Sequence, residues 1–294
     1  MTVPSRVVVR APATSANLGP GFDCLGLALD LWNEVEALPG APSDPGDPDN
    51  LILRAAEHVF RALGAASPGF QLRCTNRIPF SRGLGSSAAA IICGVLIGNH
   101  CLGGPLDEAA CLELAARLEG HPDNVVPCLL GGVRVTTRDQ HGRLLQAPVP
   151  LGLELEAVVF VPDLTVATTH ARGLLPPSVP RPDAVFNVAR ASLLVAALAS
   201  GRPELLGEAT RDRLHQPYRL PLFPAGAELL AAALGAGALG ACISGAGPSV
   251  LALCSTLAMR QAVEAAFAAT AGRLGVPGAA RCLALSQRGA HVVG

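Results

Sequence analysis

The stretch Pro79-Phe80-Ser81-Arg82-Gly83-Leu84-Gly85-Ser86-Ser87-Ala88-Ala89-Ala90 decides how the rest of the chain is read. Gly83 and Gly85 allow a tight backbone turn and leave room for a ligand to approach without a Cβ in the way. The alanines and aliphatics that follow Ser87 read as the start of a buried helix. A glycine turn at a helix start points free N–H groups and the positive helix end at one spot, which suits an anion such as phosphate. The serine hydroxyls add donors, and one of them can reach a metal ion. The same letters also describe a serine N-cap on a core helix. The stretch alone leaves both readings open.

The flanks supply context. Phe70, Leu72 and Cys74 alternate with polar residues and predict a half-buried strand leading into the loop. The helix after the loop is expected to run to about Cys101, and a second, from Leu106 to Leu118, to carry Asp107 and Glu108 in its first turn. Upstream, Val7 to Val9 predict a short strand and Leu25 to Leu38 a longer one. The intervening Arg10 to Asp23, rich in Pro, Gly and small polar residues, reads as a shaped loop that offers Asn17 and Asp23. Pro39 to Pro48 reads as a surface loop, followed by a helix from Leu51 capped by Asp49-Asn50. Helices and strands alternate from Leu155 to Leu285, which gives an α+β second half. It includes a strongly apolar helix from Ala184 to Ala199 and a second glycine turn, Ser244-Gly245-Ala246-Gly247-Pro248.

Composition excludes several classes. The 294 residues suffice for one large or two ordinary domains, and half of them are apolar, so a large core can be buried. A net charge of −1 argues against a nucleic-acid surface. All 22 basic residues are arginine, which rules out a lysine-bearing Walker loop and Schiff-base chemistry. Any phosphate must therefore be met by backbone amides, arginine or metal. The nine cysteines form no C-x-x-C pair and their number is odd, which fits free thiols in a reducing cytoplasm better than a disulfide framework. No signal peptide is evident, no uninterrupted apolar run approaches about 18 residues, and no membrane span is expected. Polar clusters stand out at Glu119-Gly120-His121-Pro122-Asp123-Asn124 and at Arg211 to Arg219. The first lies between apolar segments, where burial without partners would be costly. The second suits a solvated loop equally well.

Several of these motifs taken together resemble the GHMP kinase superfamily. Pro79 to Ala89 is similar to its phosphate loop, and Ile243 to Ser249 to its C-terminal glycine motif. Ala11 to Asp23, Glu119 to Val125 and His215-Gln216-Pro217-Tyr218-Arg219 resemble the homoserine kinase family within it. The resemblance spans nearly the whole chain. It implies a GHMP kinase fold of two α+β domains, residues 1–160 like domain 2 of ribosomal protein S5 and residues 161–294 ferredoxin-like. It also implies transfer of the ATP γ-phosphoryl group to the hydroxyl of L-homoserine, in a cytoplasmic homodimer of the threonine pathway. Pro79, Phe80, Ser81, Arg82, Gly83, Leu84, Gly85, Ser86, Ser87, Ala88 and Ala89 would hold the nucleotide, with Asn50 near the base. Ser87 and Glu119 would hold Mg²⁺, an ion that keeps most of its waters. Asn17, Asp23, His121, Asn124, Arg172 and Arg219 would fix the substrate, the arginines taking its carboxylate and Asp23 or a side-chain carbonyl its ammonium.

Phosphoryl transfer through a loose transition state can proceed by positioning and charge neutralisation alone. A base-free reaction is therefore expected, with Asp123 as the competing candidate for a base. Two rival readings are a GHMP kinase for another small alcohol, such as mevalonate or shikimate, and a nucleotide-binding sensor without turnover. An amino-acid acceptor needs both charge signs met, as Arg172, Arg219 and Asp23 would do. A sensor has no need of the Ser87–Glu119 metal site.

Overall fold

The computed structural model describes residues 3–40 and 49–293. Most of the loop expected at Pro39 to Pro48 lies outside the described residues. Strand β1 (Val7–Ala16) pairs antiparallel with the long β2 (Leu25–Pro39). Helix α1 (Leu51–Ala62) follows, its first turn capped by the Asn50 side chain, which accepts from the N–H groups of Ile52 and Leu53. Strand β3 (Phe70–Thr75) adds to β2 and leads into the glycine loop, from which α2 (Ser86–Cys101) departs. Helices α3 (Glu108–Glu119) and α4 (Pro122–Leu130) pack beside it, and the hairpin β4 (Val133–Arg138) and β5 (Leu144–Val149) closes this half.

The second half begins at β6 (Glu156–Pro162), then α5 (Thr168–Gly173), α6 (Arg181–Ser200), α7 (Leu206–Ala209), α8 (Gln216–Arg219) and α9 (Ala225–Gly235). Strands β7 (Gly240–Ile243) and β8 (Val250–Cys254), helix α10 (Leu257–Leu274), β9 (Gly278–Ala284) and β10 (His291–Val292) complete the order. Two antiparallel sheets result. One runs β10-β1-β2-β4-β5 with β3 on β2, and the other runs β7-β8-β6-β9. The division expected after residue 160 falls inside β6, because Glu156 to Phe160 already pair with β8 and β9. The chain end returns to the first sheet through β10, a strand too short to be read from sequence.

The segment from Arg10 to Ala16 corrects the sequence reading. It is strand, not loop, and its register against β2 shifts between Pro12 and Ala13. The shift accommodates the proline, and the buried Thr14 and Ser15 hydroxyls find partners beyond the strand, which is what makes them tolerable inside a sheet. The larger core packs α1 to α4 on the first sheet and continues through Leu194, Leu198 and the inner residues of β6 and β8. The smaller core lies between the second sheet and α9 and α10. Aromatics are scarce, and each core contains one tilted phenylalanine pair, Phe60–Phe70 and Phe160–Phe267, both with ring centroids 5.9 Å apart. Burying each such ring is worth about 1.5–3 kcal/mol.

Helix α6 is long and apolar enough by composition to cross a membrane, which the absence of an uninterrupted apolar run did not anticipate. Two of its polar residues are tied to the fold: Asn187 donates to Asp212 and Arg190 to Glu208.

Candidate active site

Helix α2 is the element on which the site is built. Its cap is Gly85, in the left-handed region at φ 68°, and no side chain caps it, so the serine N-cap reading does not hold. The first-turn N–H groups stay free for a ligand. Gly83 (φ 72°) and Gly85 are required by space as well as by backbone angle. A Cβ on Gly83 would lie 2.1 Å from the Ser244 carbonyl oxygen, and one on Gly85 would lie 1.9 Å from the Thr14 hydroxyl. The two glycine turns are thus interlocked. Ser244 Oγ donates to the Gly83 carbonyl at 2.6 Å and lies 2.8 Å from Ser15 Oγ, while the Gly245 N–H donates to the Ala16 carbonyl at 2.9 Å.

Two hollows meet at this helix end. A groove of about 380 Å³ is lined by Asn33, Asn50, Asn76, Phe80 and Cys74, and also by Ser81, Ser86 and Ser87. A cleft of about 140 Å³ lies on the other side of the same three serines and adds Asn17, Glu119, His121, Asn124, Thr168, Arg172 and Arg219. A larger cavity of about 550 Å³ lies between α3 and β5 and includes none of the residues expected from sequence.

The cleft brings together Asn17, His121, Asn124, Arg172 and Arg219; Asp23 is not on its lining and joins the group through Arg172. Asn17 and Asp23 both have positive φ, and the side-chain Oδ1 of Asn17 accepts the Asp23 N–H at 2.8 Å. Asn and Asp tolerate this backbone better than other side chains with a Cβ. Asp23 takes both terminal nitrogens of Arg172 at 2.7 and 2.8 Å. Arg172 and Arg219 both lie against the ring of Phe22, at 5.5 and 5.1 Å. Arg219 is 2% exposed and gives one hydrogen bond to the Gly245 carbonyl, yet its Nε has no partner. Burial first, and then the charge of Arg172, push its pKa down. A buried guanidinium with an idle donor beside a second arginine is a place for an anion.

The Glu119 cluster forms the opposite wall. Ser87 Oγ donates to Glu119 Oε1 at 2.5 Å, and burial raises the Glu119 pKa despite that bond. A hydroxyl and a largely buried carboxylate next to the free helix end are hard oxygen donors of the kind a divalent cation takes. Among the described residues no cluster of three or more His, Cys, Asp or Glu side chains forms a fuller metal cage. His121 reaches the cleft with its Nδ1 2.7 Å from Asp123 Oδ1, and Asp123 itself is 1% exposed. Asn124 Oδ1 accepts from the Thr14 hydroxyl at 2.7 Å, so it is held against the glycine loop.

Some of the expected nucleotide residues point elsewhere. The Arg82 guanidinium is spent on the carbonyls of Phe80, Pro162 and Asp163, which tie the loop to the second half. Leu84, Ala88 and Ala89 have buried side chains, and of the three only Ala89 borders the groove, so Leu84 and Ala88 can offer a ligand only backbone. Asn50 lines the groove, but its carbonyl oxygen is used as the α1 cap.

The N-terminal domain model of the GHMP kinases matches residues 50–132, and the C-terminal model matches residues 194–273. The homoserine kinase of Gloeobacter violaceus is 48% identical over 277 residues, covering 89% of this chain and 92% of its own. That of Moorella thermoacetica is 43% identical over 297 residues, covering 97% and 99%. The chain belongs to the homoserine kinase family of GHMP kinases. A crystal structure of homoserine kinase from Cytophaga hutchinsonii superposes with a TM-score of 0.89 at 30% identity, covering all of this chain and 99% of that one. The mevalonate kinase of L. major, solved with R-mevalonate, is 16% identical with a TM-score of 0.74 and shares the fold.

Within this homoserine kinase fold, several residues around the site carry no role in the sequence reading. His215 is fully buried, not part of a solvated loop. Its Nε2 lies 2.7 Å from the Gly19 carbonyl and its Nδ1 3.3 Å from Arg219 Nη1. Burial, the largest influence, lowers its pKa, so the ring is neutral, donating to Gly19 and accepting from Arg219. Asp212 receives the N–H groups of Leu214, His215 and Gln216 and thereby holds the turn that leads into α8. The spacing His215-x-x-x-Arg219 was the available signal, since residues four apart share one helix face.

Proposed function

We infer that this kinase transfers the γ-phosphoryl group of ATP to the side-chain hydroxyl of L-homoserine, giving O-phospho-L-homoserine. One observation carries the reading: a nucleotide-sized groove and a cation-lined acceptor cleft share Ser81, Ser86 and Ser87 at the free N-terminus of α2. A triphosphate lying across that helix end would present its γ-phosphorus to the cleft. The backbone amides from Gly83 to Ala88 would cradle the phosphates, and Asn50 borders the hollow left for the base. Ser87 and Glu119 would hold Mg²⁺, which when bound offsets phosphate charge.

In the cleft, the idle Nε of Arg219 and the fork of Arg172 suit the substrate carboxylate. Asp23 suits the ammonium, while Asn17, His121 and Asn124 are placed to orient the rest. The position of Asp123 behind His121, almost out of contact with solvent, supports a reaction without a carboxylate base. The hydroxyl proton would then leave with the transferred phosphoryl group, and positioning supplies the acceleration. Cytoplasmic residence and a homodimer belong to the same reading; the nine free thiols fit a reducing compartment.

The test is ADP release with Mg²⁺ATP and a panel of L-homoserine, L-threonine, L-serine, mevalonate and shikimate. Turnover with L-homoserine that Glu119→Gln abolishes is expected. Turnover with another alcohol alone would overturn the substrate assignment, and ATP binding without any turnover would favour a sensor.

A further inference from the structure

The charges expected to receive the substrate are paired with each other. The two carboxylate oxygens of Asp23 take the two terminal nitrogens of Arg172 in a bidentate bridge. Asp23 lies on the β1–β2 loop and Arg172, which lines the cleft, on α5, so the bridge ties that loop to a residue of the cleft wall. We propose that this pair is an internal stand-in for a zwitterion, and that the acceptor binds by exchange, its carboxylate taking Arg172 from Asp23 while its ammonium takes Asp23 from Arg172. The proposal rests on the amino-acid acceptor inferred above and adds how the cleft rejects ligands that carry one charge.

The physical argument is one of balance. The side chains of Asp23 and Arg172 are 34% and 41% exposed, so the bridge is wet and cheap to open. What is expensive is opening it for a ligand that satisfies one side only. A carboxylate without an ammonium would capture Arg172 but leave Asp23 unpaired and facing a like charge. An amine without a carboxylate would leave Arg172 unpaired beside Arg219, whose own guanidinium is already short of acceptors. A ligand with both charges replaces each lost partner, so the one internal ion pair is exchanged for two and neither charge is left alone. Each half of the bridge is preset to survive the exchange. Asp23 is held by the Asn17 bond to its own N–H, and Arg172 rests against the Phe22 ring. Neither hold depends on the bridge.

The experiment is a pair of substrate switches on the full chain with Mg²⁺ATP. Asp23→Asn retains a residue that tolerates the positive φ and releases Arg172. It is expected to lower kcat/KM for L-homoserine by about 10- to 100-fold, yet raise it about 3- to 10-fold for 4-hydroxybutanoate, which lacks the ammonium. Arg172→Gln is the converse, and should raise kcat/KM for 3-aminopropan-1-ol, which lacks the carboxylate. Where turnover is too slow, dissociation constants from calorimetry replace it. If the bridge merely tethers α5, each variant will lose on its matching one-charge ligand along with L-homoserine, and the proposal falls. ATP binding and a melting curve for each variant separate that result from failure to fold. Wild-type turnover of L-homoserine tests the underlying assignment independently.

Discussion

His121 and Asp123 show how one side chain sets the charge of another. Burial alone would push the His121 imidazole down, but the hydrogen bond and charge of Asp123, aided by Glu119, outweigh it and raise the pKa. A raised folded-state value means that the bond to the charged ring stabilises the fold fully below the ordinary value of about 6.5, and that this contribution is lost as pH rises through the folded value. Asp123→Asn keeps an acceptor but removes the charge. The His121 titration, followed by NMR, is expected to move down, and the gain in stability between pH 8 and pH 6 to shrink. An unmoved titration would show that Asp123 is not the cause. Glu119 is the opposite case, since burial raises its pKa and its ionised form at neutral pH costs stability. Glu119→Gln should therefore abolish ADP release while raising Tm by about 2 °C or more in the absence of Mg²⁺. A lowered Tm would mean that the carboxylate is needed by the fold as well as by the chemistry.

At the scale of elements, the start of α2 is the most demanding position in the chain. Gly85→Ala combines a strained left-handed residue with a Cβ driven into the Thr14 hydroxyl, which holds Asn124. A cost of about 2–4 kcal/mol and at least a tenfold loss of ATP affinity are expected. Gly120→Ala is the control. Gly120 has φ 89° but open space around it, so only the backbone strain of about 1–2 kcal/mol remains. Equal losses in the two variants would show that backbone angle, not crowding, makes Gly85 necessary.

These elements also mark what the sequence makes legible. Strand β3, the glycine loop and α2 could be read because their signals are local: alternation, then glycines, then an apolar run. The strand from Arg10 to Ala16 could not, because its pairing with β2 overrides a composition that belongs to loops. The burial of His215 was likewise hidden, since its partner Gly19 lies 196 residues away in the chain. In the site, the residue types disclosed the chemistry required. They did not disclose that Asp23 and Arg172 pair with each other, or that Arg82 turns to the backbone of the second half.

At the scale of the whole molecule, the cleft depends on a seam between the two halves. Ser15 and Ala16 at the end of β1, Gly83 in the first glycine loop and Ser244-Gly245 in the second glycine turn meet there through paired hydroxyls, carbonyls and N–H groups. The seam fixes how far Arg219, which bonds to Gly245, stands from the helix end that would hold the phosphates. Ser244→Ala removes one hydroxyl and leaves Ser15 Oγ and the Gly83 carbonyl without that partner. A buried loss of this kind is worth about 1–3 kcal/mol. The consequence should reach beyond stability. A ligand that binds only the folded state raises Tm according to its concentration over Kd, and a loosened loop binds more weakly. With Mg²⁺ATP at a fixed concentration, the upward shift in Tm should therefore be smaller in Ser244→Ala than in the unsubstituted chain, and KM should rise for ATP and for L-homoserine together. A variant with lower Tm, but with an unchanged Tm shift and unchanged KM values, would mean that the seam supports the fold and leaves the geometry of transfer to the loop alone.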